Sequence, residues 1–220
     1  MCIRDRALAI AAKSTGIPLE DLTAAASKAS SLGLPAYADG NPEGFLFPAT
    51  YEFGPSATAE DVVTTMIGRF DQAASDLDLE SAAAARGLDP LDVVTVASLL
   101  EGEVAPADYG KAARAIYNRL DKGMRLQLDS TVNYALGKSD LKLSAADLAV
   151  DSPYNTYKVK GLPPGPIGSP GEAALEAALN PEDGTWLYWV ATDPDSLTTE
   201  FATTYEQFLV LKKKYQANAG

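Results

Sequence analysis

The sequence predicts an α+β domain over residues 41–220, preceded by a helical lead-in over residues 1–40 that reads as the remnant of a truncated N-terminal region. Three observations carry this. Segments of helical period recur along the chain with recognisable caps; the apolar runs between them are short enough to be strands; and the two do not alternate as βαβ repeats would.

Residues 7–32 hold two Ala-rich helical patterns broken at Gly16-Ile17-Pro18, and Gly33 to Pro42, rich in Gly, Pro and Asn, reads as a linker. Met1 to Arg6 fit neither a signal peptide nor the helix that follows and are set aside from the fold. Glu43 to Phe53, with Phe45, Phe47, Tyr51 and Phe53, reads as an extended piece packed into the core or lining a groove. Thr58-Ala59-Glu60-Asp61 has the capping-box pattern for a helix to about Ser75, and a second short helix stops at Gly87. Asp89 as N-cap and Pro90 at the first helical position open a helix through Glu103. Another runs from about Ala107 to Leu120, with Arg114, Asn118 and Arg119 toward its end.

Met124 to Leu128 reads as a short strand, after which Asp129 caps a helix opening at Ser130-Thr131-Val132. Ser152 to Tyr157 is a turn entering an extended piece, and Gly161-Leu162-Pro163-Pro164-Gly165-Pro166-Ile167 is a stiff loop suited to a rigid wall. Ser169-Pro170-Gly171-Glu172 has capping-box spacing for a helix that stops before Pro181, Trp186 to Ala191 reads as a buried strand, and Thr203-Thr204-Tyr205-Glu206 opens a last helix ending in Lys212-Lys213-Lys214.

Composition narrows the chemistry. The 220 residues are 46% hydrophobic, ample for a core, and 18 Lys and Arg against 30 Asp and Glu give a net charge of −12. That balance argues against nucleic acid as a ligand. There is no histidine and one cysteine, Cys2, so Ser-His-Asp and Cys-His catalysis and His- or Cys-rich zinc sites are excluded. Carboxylate chemistry is among the few kinds left. No apolar run approaches the roughly 20 residues that span a bilayer.

The helix ending Leu99-Leu100-Glu101-Gly102-Glu103 carries the sharpest candidates. At about 100° per residue, Val93, Val94, Val96, Ala97 and Leu100 form a stripe; Glu101 falls between Ala97 and Val94, and Glu103 at the opposite edge near Val96 and Leu99. A carboxyl against apolar surface loses hydration, which raises its pKa toward the range useful to a general acid. Periodicity does not choose between the two.

In order along the chain, Glu43-Gly44-Phe45-Leu46-Phe47-Pro48 with Thr50-Tyr51, Ala97 to Glu103, Asn118-Arg119-Leu120, Met124-Arg125-Leu126-Gln127 with Asp129, Thr131, Val132 and Tyr134, Tyr154-Asn155-Thr156-Tyr157, Gly161 to Gly165 with Ile167, and Asn180-Pro181 before Leu187 to Ala191 resemble the YceG-like, or MltG, family of endolytic murein transglycosylases. The resemblance covers about residues 41–210. It implies a YceG-like catalytic domain, Glu101 as the catalytic glutamate, cleavage of the MurNAc–GlcNAc β-1,4 bond of peptidoglycan strands with 1,6-anhydro ends, no cofactor or metal, cell-wall synthases as partners, and a site of action at the outer face of the cell membrane. It also implies a LysM-like subdomain and a membrane anchor, which are expected in the part truncated before residue 1. Gln127, Asp129, Thr131, Asn155, Thr156 and Tyr157, with Asn118, are polar groups suited to hydroxyls and acetamido groups, and Tyr51 could stack on a sugar face. Ala49 stands where the family usually has Asp, and Thr199 where it often has His. A glycan hydrolase pairing Glu101 with Asp129 or Glu103, and an inactive cell-wall-binding module, are the competing readings.

Overall fold

The structure, a computed structural model, describes residues 3–140, 142–193 and 198–218. They form ten α-helices, most of which contribute to one core: α1 (Ile3–Thr15), α2 (Leu19–Ala26), α3 (Ala59–Asp76), α4 (Leu79–Ala85), α5 (Pro90–Glu103), α6 (Tyr109–Asp121), α7 (Asp129–Leu136), α8 (Ala145–Leu148), α9 (Glu172–Leu179) and α10 (Tyr205–Asn218). The strands β1 (Tyr188–Asp193) and β2 (Thr198–Ala202) pair antiparallel, with Trp189 opposite Phe201. The α+β class follows, with helices dominant.

The caps of α3 and α5 are where the sequence puts them. Thr58 closes a full capping box with Asp61, and the Asp89 carboxylate accepts from the Leu91 N–H at 2.8 Å beside Pro90. Between those starts, α5 runs through the middle of the molecule, packed by α4, α6, α7 and α9, and every residue from Val93 to Leu100 is buried. A helix buried all round has no outer face, so the stripe used to place the two glutamates loses its meaning.

Several expectations are corrected. Met1 and Cys2 lie outside the described residues, but Ile3 to Arg6 belong to α1, and the Arg4 N–H donates to the Glu43 carboxylate. Residues 33–42 are no free linker, because Leu34 and Ala38 enter the core that α1 and α2 share with the rest. Met124 to Leu128 form no strand: Gln127 has φ +52, a left-handed turn that breaks the extended run. Asp129 is the first residue of α7 rather than its side-chain cap. Ser169 does not cap α9 either; Gly171 stands at the N-cap, and Ser169 Oγ is buried without a hydrogen-bond partner. Trp186 to Ala191 is half-exposed rather than buried, with β1 covered mainly by β2 and α10.

Candidate functional site

The end of α5 faces two environments. Glu101 is exposed, and its Oε1 accepts from the Gly171 N–H at 3.0 Å, where α9 begins. It also sits beside the Tyr109 phenol, which burial first and this carboxylate second push up to about 12. Glu101 is therefore not held against apolar surface, although its place on the stripe beside Ala97 and Val94 suggests it. Two residues on, Glu103 turns into a cleft of about 440 Å³ lined by Arg119, Gln127, Leu128, Asp129, Tyr157, Tyr188, Trp189, Tyr205 and Phe208.

Burial pushes the Glu103 carboxyl up to about 7 from its ordinary 4.5. The Ser130 hydroxyl and backbone and the Trp189 side chain oppose this by hydrogen bonding the ionised form, while the Asp129 charge adds to it. The Ser130 Oγ donates to Glu103 Oε1 at 2.6 Å. Helix α7 comes close enough for this because residue 102 is glycine: a Cβ there would lie 3.2 Å from the Ser130 Cβ. The Glu-Gly-Glu spacing thus sends one carboxylate outward, one inward, and keeps the residue between them thin.

Three predicted polar residues join Glu103. Asp129 accepts from the Tyr157 hydroxyl at 2.6 Å, and Gln127 lines the same wall on its left-handed backbone. Such a conformation in a residue with a side chain is strained and tends to persist where a site uses it. The Gln127 N–H is satisfied by the Thr156 carbonyl at 3.2 Å, which leaves the side chain to the cleft.

The other predicted residues are elsewhere. Thr131 and Thr156 are buried and share a hydrogen bond of 2.9 Å, with Thr156 Oγ1 also taking the Leu128 N–H. Asn155 is buried and donates to the Leu148 and Val150 carbonyls. These groups hold the wall that presents Tyr157, and none has a free polar atom for a sugar. Asn118 donates to the carbonyls of Gly184 and Trp186, fixing the approach to β1. Tyr51 gives its hydroxyl to the Phe47 carbonyl and faces a different, wider groove of about 1080 Å³ between residues 14–28 and 51–60. That groove is larger, but its carboxylates, Asp21, Glu52 and Glu60, are all exposed, so it lacks a group placed for proton transfer.

Sequence reasoning missed Ser130, Arg119 and the aromatic wall of the cleft. Arg119 was assigned to the helix end, yet it is buried and donates to the carbonyls of Leu126 and Leu187, joining the two walls. Its guanidinium lies 5.0 Å from the Trp189 ring and 5.2 Å from that of Tyr188. Its place beside Asn118, near the end of that helix, was the available signal.

The YceG-like family model matches residues 5–214. The chain is 41% identical over 175 residues to the endolytic murein transglycosylase of Bacillus subtilis strain 168, covering 79% of this chain and 48% of that protein. It is 39% identical over 155 residues to the endolytic murein transglycosylase of Streptococcus pneumoniae serotype 2 strain D39, covering 68% and 28% respectively. The chain thus spans about half the length of the first relative and less of the second. A crystal structure of a YceG-like protein from Listeria monocytogenes superposes with a TM-score of 0.82 at 34% identity, over 94% of this chain and 72% of that one.

Proposed function

The chain belongs to the YceG-like family, and from that footing we propose that it cleaves murein glycan strands as a lytic transglycosylase, with Glu103 as the group that moves the proton. The observation that carries this reading is the placement of the Glu103 carboxyl, held by the Ser130 hydroxyl at 2.6 Å in a cleft lined by Gln127, Asp129, Tyr157 and aromatic rings, where burial pushes it above its ordinary range. Glu101, exposed and bonded to the Gly171 N–H, serves the junction of α5 and α9.

The reaction breaks the β-1,4 bond between N-acetylmuramic acid and N-acetylglucosamine without water. Protonated Glu103 donates to the glycosidic oxygen as the C1–O bond breaks. The ionised carboxylate then takes the proton of the muramoyl C6 hydroxyl as that oxygen bonds to C1 and closes a 1,6-anhydro ring. One carboxyl ends as it began. A value near neutral suits both halves, since acid and base forms are then both populated. No second carboxylate is required, in contrast to most glycosidases. Gln127, Asp129 and Tyr157 are placed to orient the sugar by hydrogen bonds. Because murein lies outside the cytoplasm, the site of action is extracytoplasmic; no helix among the described residues is long and apolar enough to cross a membrane. Within a cell-wall synthesis complex, such cuts would end strand elongation.

The Asp129 charge felt by Glu103 favours one second reading, a hydrolase in which Asp129 assists water. Mass spectrometry of fragments from uncrosslinked glycan separates the two. The lyase leaves 1,6-anhydromuramoyl ends, each fragment one water lighter than a muramidase product, with early fragments of mixed length from internal cuts. Reducing ends accumulating with each cut would instead support the hydrolase.

A further inference from the structure

We infer that the N-terminal turn of α10 and the start of β1 form a stacking ledge for a neutral β-1,4-linked N-acetylhexosamine ring in the cleft that Glu103 lines. The inference rests on the reading of the Glu103 cleft as a glycan site. Tyr205 and Phe208 line that cleft together with Tyr188, yet Tyr205 is 55% exposed. A large ring left wet in a cleft that also holds a half-buried carboxyl is apolar surface that a ligand can cover.

The ledge is built before any ligand arrives. Tyr205 and Phe208 stack with centroids 5.7 Å apart, and Phe208 lies 5.3 Å from Tyr188. The helix start is fixed by Gln207 Oε1, which accepts from the N–H groups of Thr203 at 3.0 Å and Thr204 at 3.2 Å. At its other end α10 is strapped to the hairpin by Asn218, which donates to the Thr192 carbonyl at 2.8 Å, and by the Lys214–Glu200 ion pair. Rigid rings lose little entropy on binding.

The chemistry of the ledge selects its ligand. A β-linked gluco-configured ring carries its substituents equatorially, so its faces present axial C–H groups that pack flat on an aromatic ring. Arg119 is the one cation lining this cleft among the described residues, and it is buried, with its Nε and one Nη1 hydrogen held by the Leu187 and Leu126 carbonyls and its guanidinium over the Tyr188 and Trp189 rings. With Asp129 and Glu103 nearby, the site opposes phosphate or other polyanions. A neutral sugar face is what remains.

The test uses the full chain carrying Glu103→Gln, so that ligand is bound and not cut, titrated calorimetrically with chitobiose and chitohexaose. Tyr205→Ala on that background weakens chitohexaose about five- to tenfold, Tyr205→Phe restores it, and Val210→Ala, elsewhere on α10, leaves it unchanged. The same Tyr205→Ala change in the otherwise unaltered enzyme raises KM on uncrosslinked glycan with kcat nearly constant. Equal chitohexaose affinity in Tyr205→Ala and its parent, with the parent binding, overturns the ledge and leaves the transglycosylase reading intact. If the parent binds no glycan and the unaltered chain cuts none, both fall. Tighter binding of a polyanion such as polyglycerol phosphate than of chitohexaose would also overturn the assignment.

Discussion

The Ser130 hydroxyl donates a 2.6 Å hydrogen bond to the Glu103 carboxylate, tying the last turn of α5 to the first turn of α7. This bond favours the ionised form and so acts against the burial that raises the group. Ser130→Ala removes it. A hydrogen bond to a charged group contributes about 1.5–3 kcal/mol, and with 1.36 kcal/mol per pKa unit the Glu103 value moves up by roughly one unit after partial compensation. The basic limb of kcat/KM, where Glu103 loses its donatable proton, shifts upward accordingly. A limb that stays put or moves down contradicts this role for Ser130.

Stability should depend on pH through the same group. The folded value of about 7 lies above the ordinary 4.5, so the neutral carboxyl is the form the fold favours. Its contribution is complete below about pH 4.5 and is lost as pH rises through 7. Glu103→Gln keeps the shape, and an oxygen for Ser130, without the charge. Near pH 5 the two proteins should unfold alike; at pH 8 the variant should be more stable by about 2 kcal/mol, discounted for the residue's partial exposure. Urea unfolding at the two pH values checks it, and a gap that does not grow with pH counts against a desolvated carboxyl at position 103.

Gly44 joins the aromatic segment to the Pro-rich loop. It has φ +96, and a Cβ there would stand 2.5 Å from Pro166 Cγ and 3.2 Å from Val94 Cγ1, with neither the ring nor the core helix free to yield. Gly44→Ala therefore meets both backbone strain and overlap, and should lose about 2–4 kcal/mol. Thermal unfolding measures this; a loss below 1 kcal/mol would mean that the Pro166 wall is softer than its composition implies.

Much of this was legible in the residues. The caps at Thr58 and Asp89 act within a few residues, so sequence alone specifies them. Gln127, Asp129 and Tyr157, named from the sequence as candidate sugar contacts, line one cleft because the turns at 127–129 and 154–157 orient them locally. The choice between Glu101 and Glu103 was not legible in the same way. Both leave the end of one helix, and what separates them is tertiary: α9 offers the Gly171 N–H to one, while Ser130 and Trp189 surround the other. Thr131, Asn155 and Thr156 were read as ligand contacts because polar side chains in turns look alike whether they bind sugar or backbone. The aromatic wall was hidden for a related reason: Tyr188 and Tyr205 are distant in sequence, and only the hairpin with α10 brings their rings within 6.1 Å.

Cleavage of uncrosslinked glycan by Glu103→Gln and Glu101→Gln, each measured beside its own melting curve, tests the account most directly. Glutamine at 103 cannot cycle a proton, and loss of general acid–base catalysis lowers rate by about 10²–10⁴; glutamine at 101 still offers an oxygen to the Gly171 N–H and should keep activity within about threefold, in line with the near-neutral effect of retaining a hydrogen bond. Both variants should remain folded. A folded Glu103→Gln protein that cuts at the normal rate, or a folded Glu101→Gln protein that does not cut, would contradict the assignment of proton transfer to Glu103.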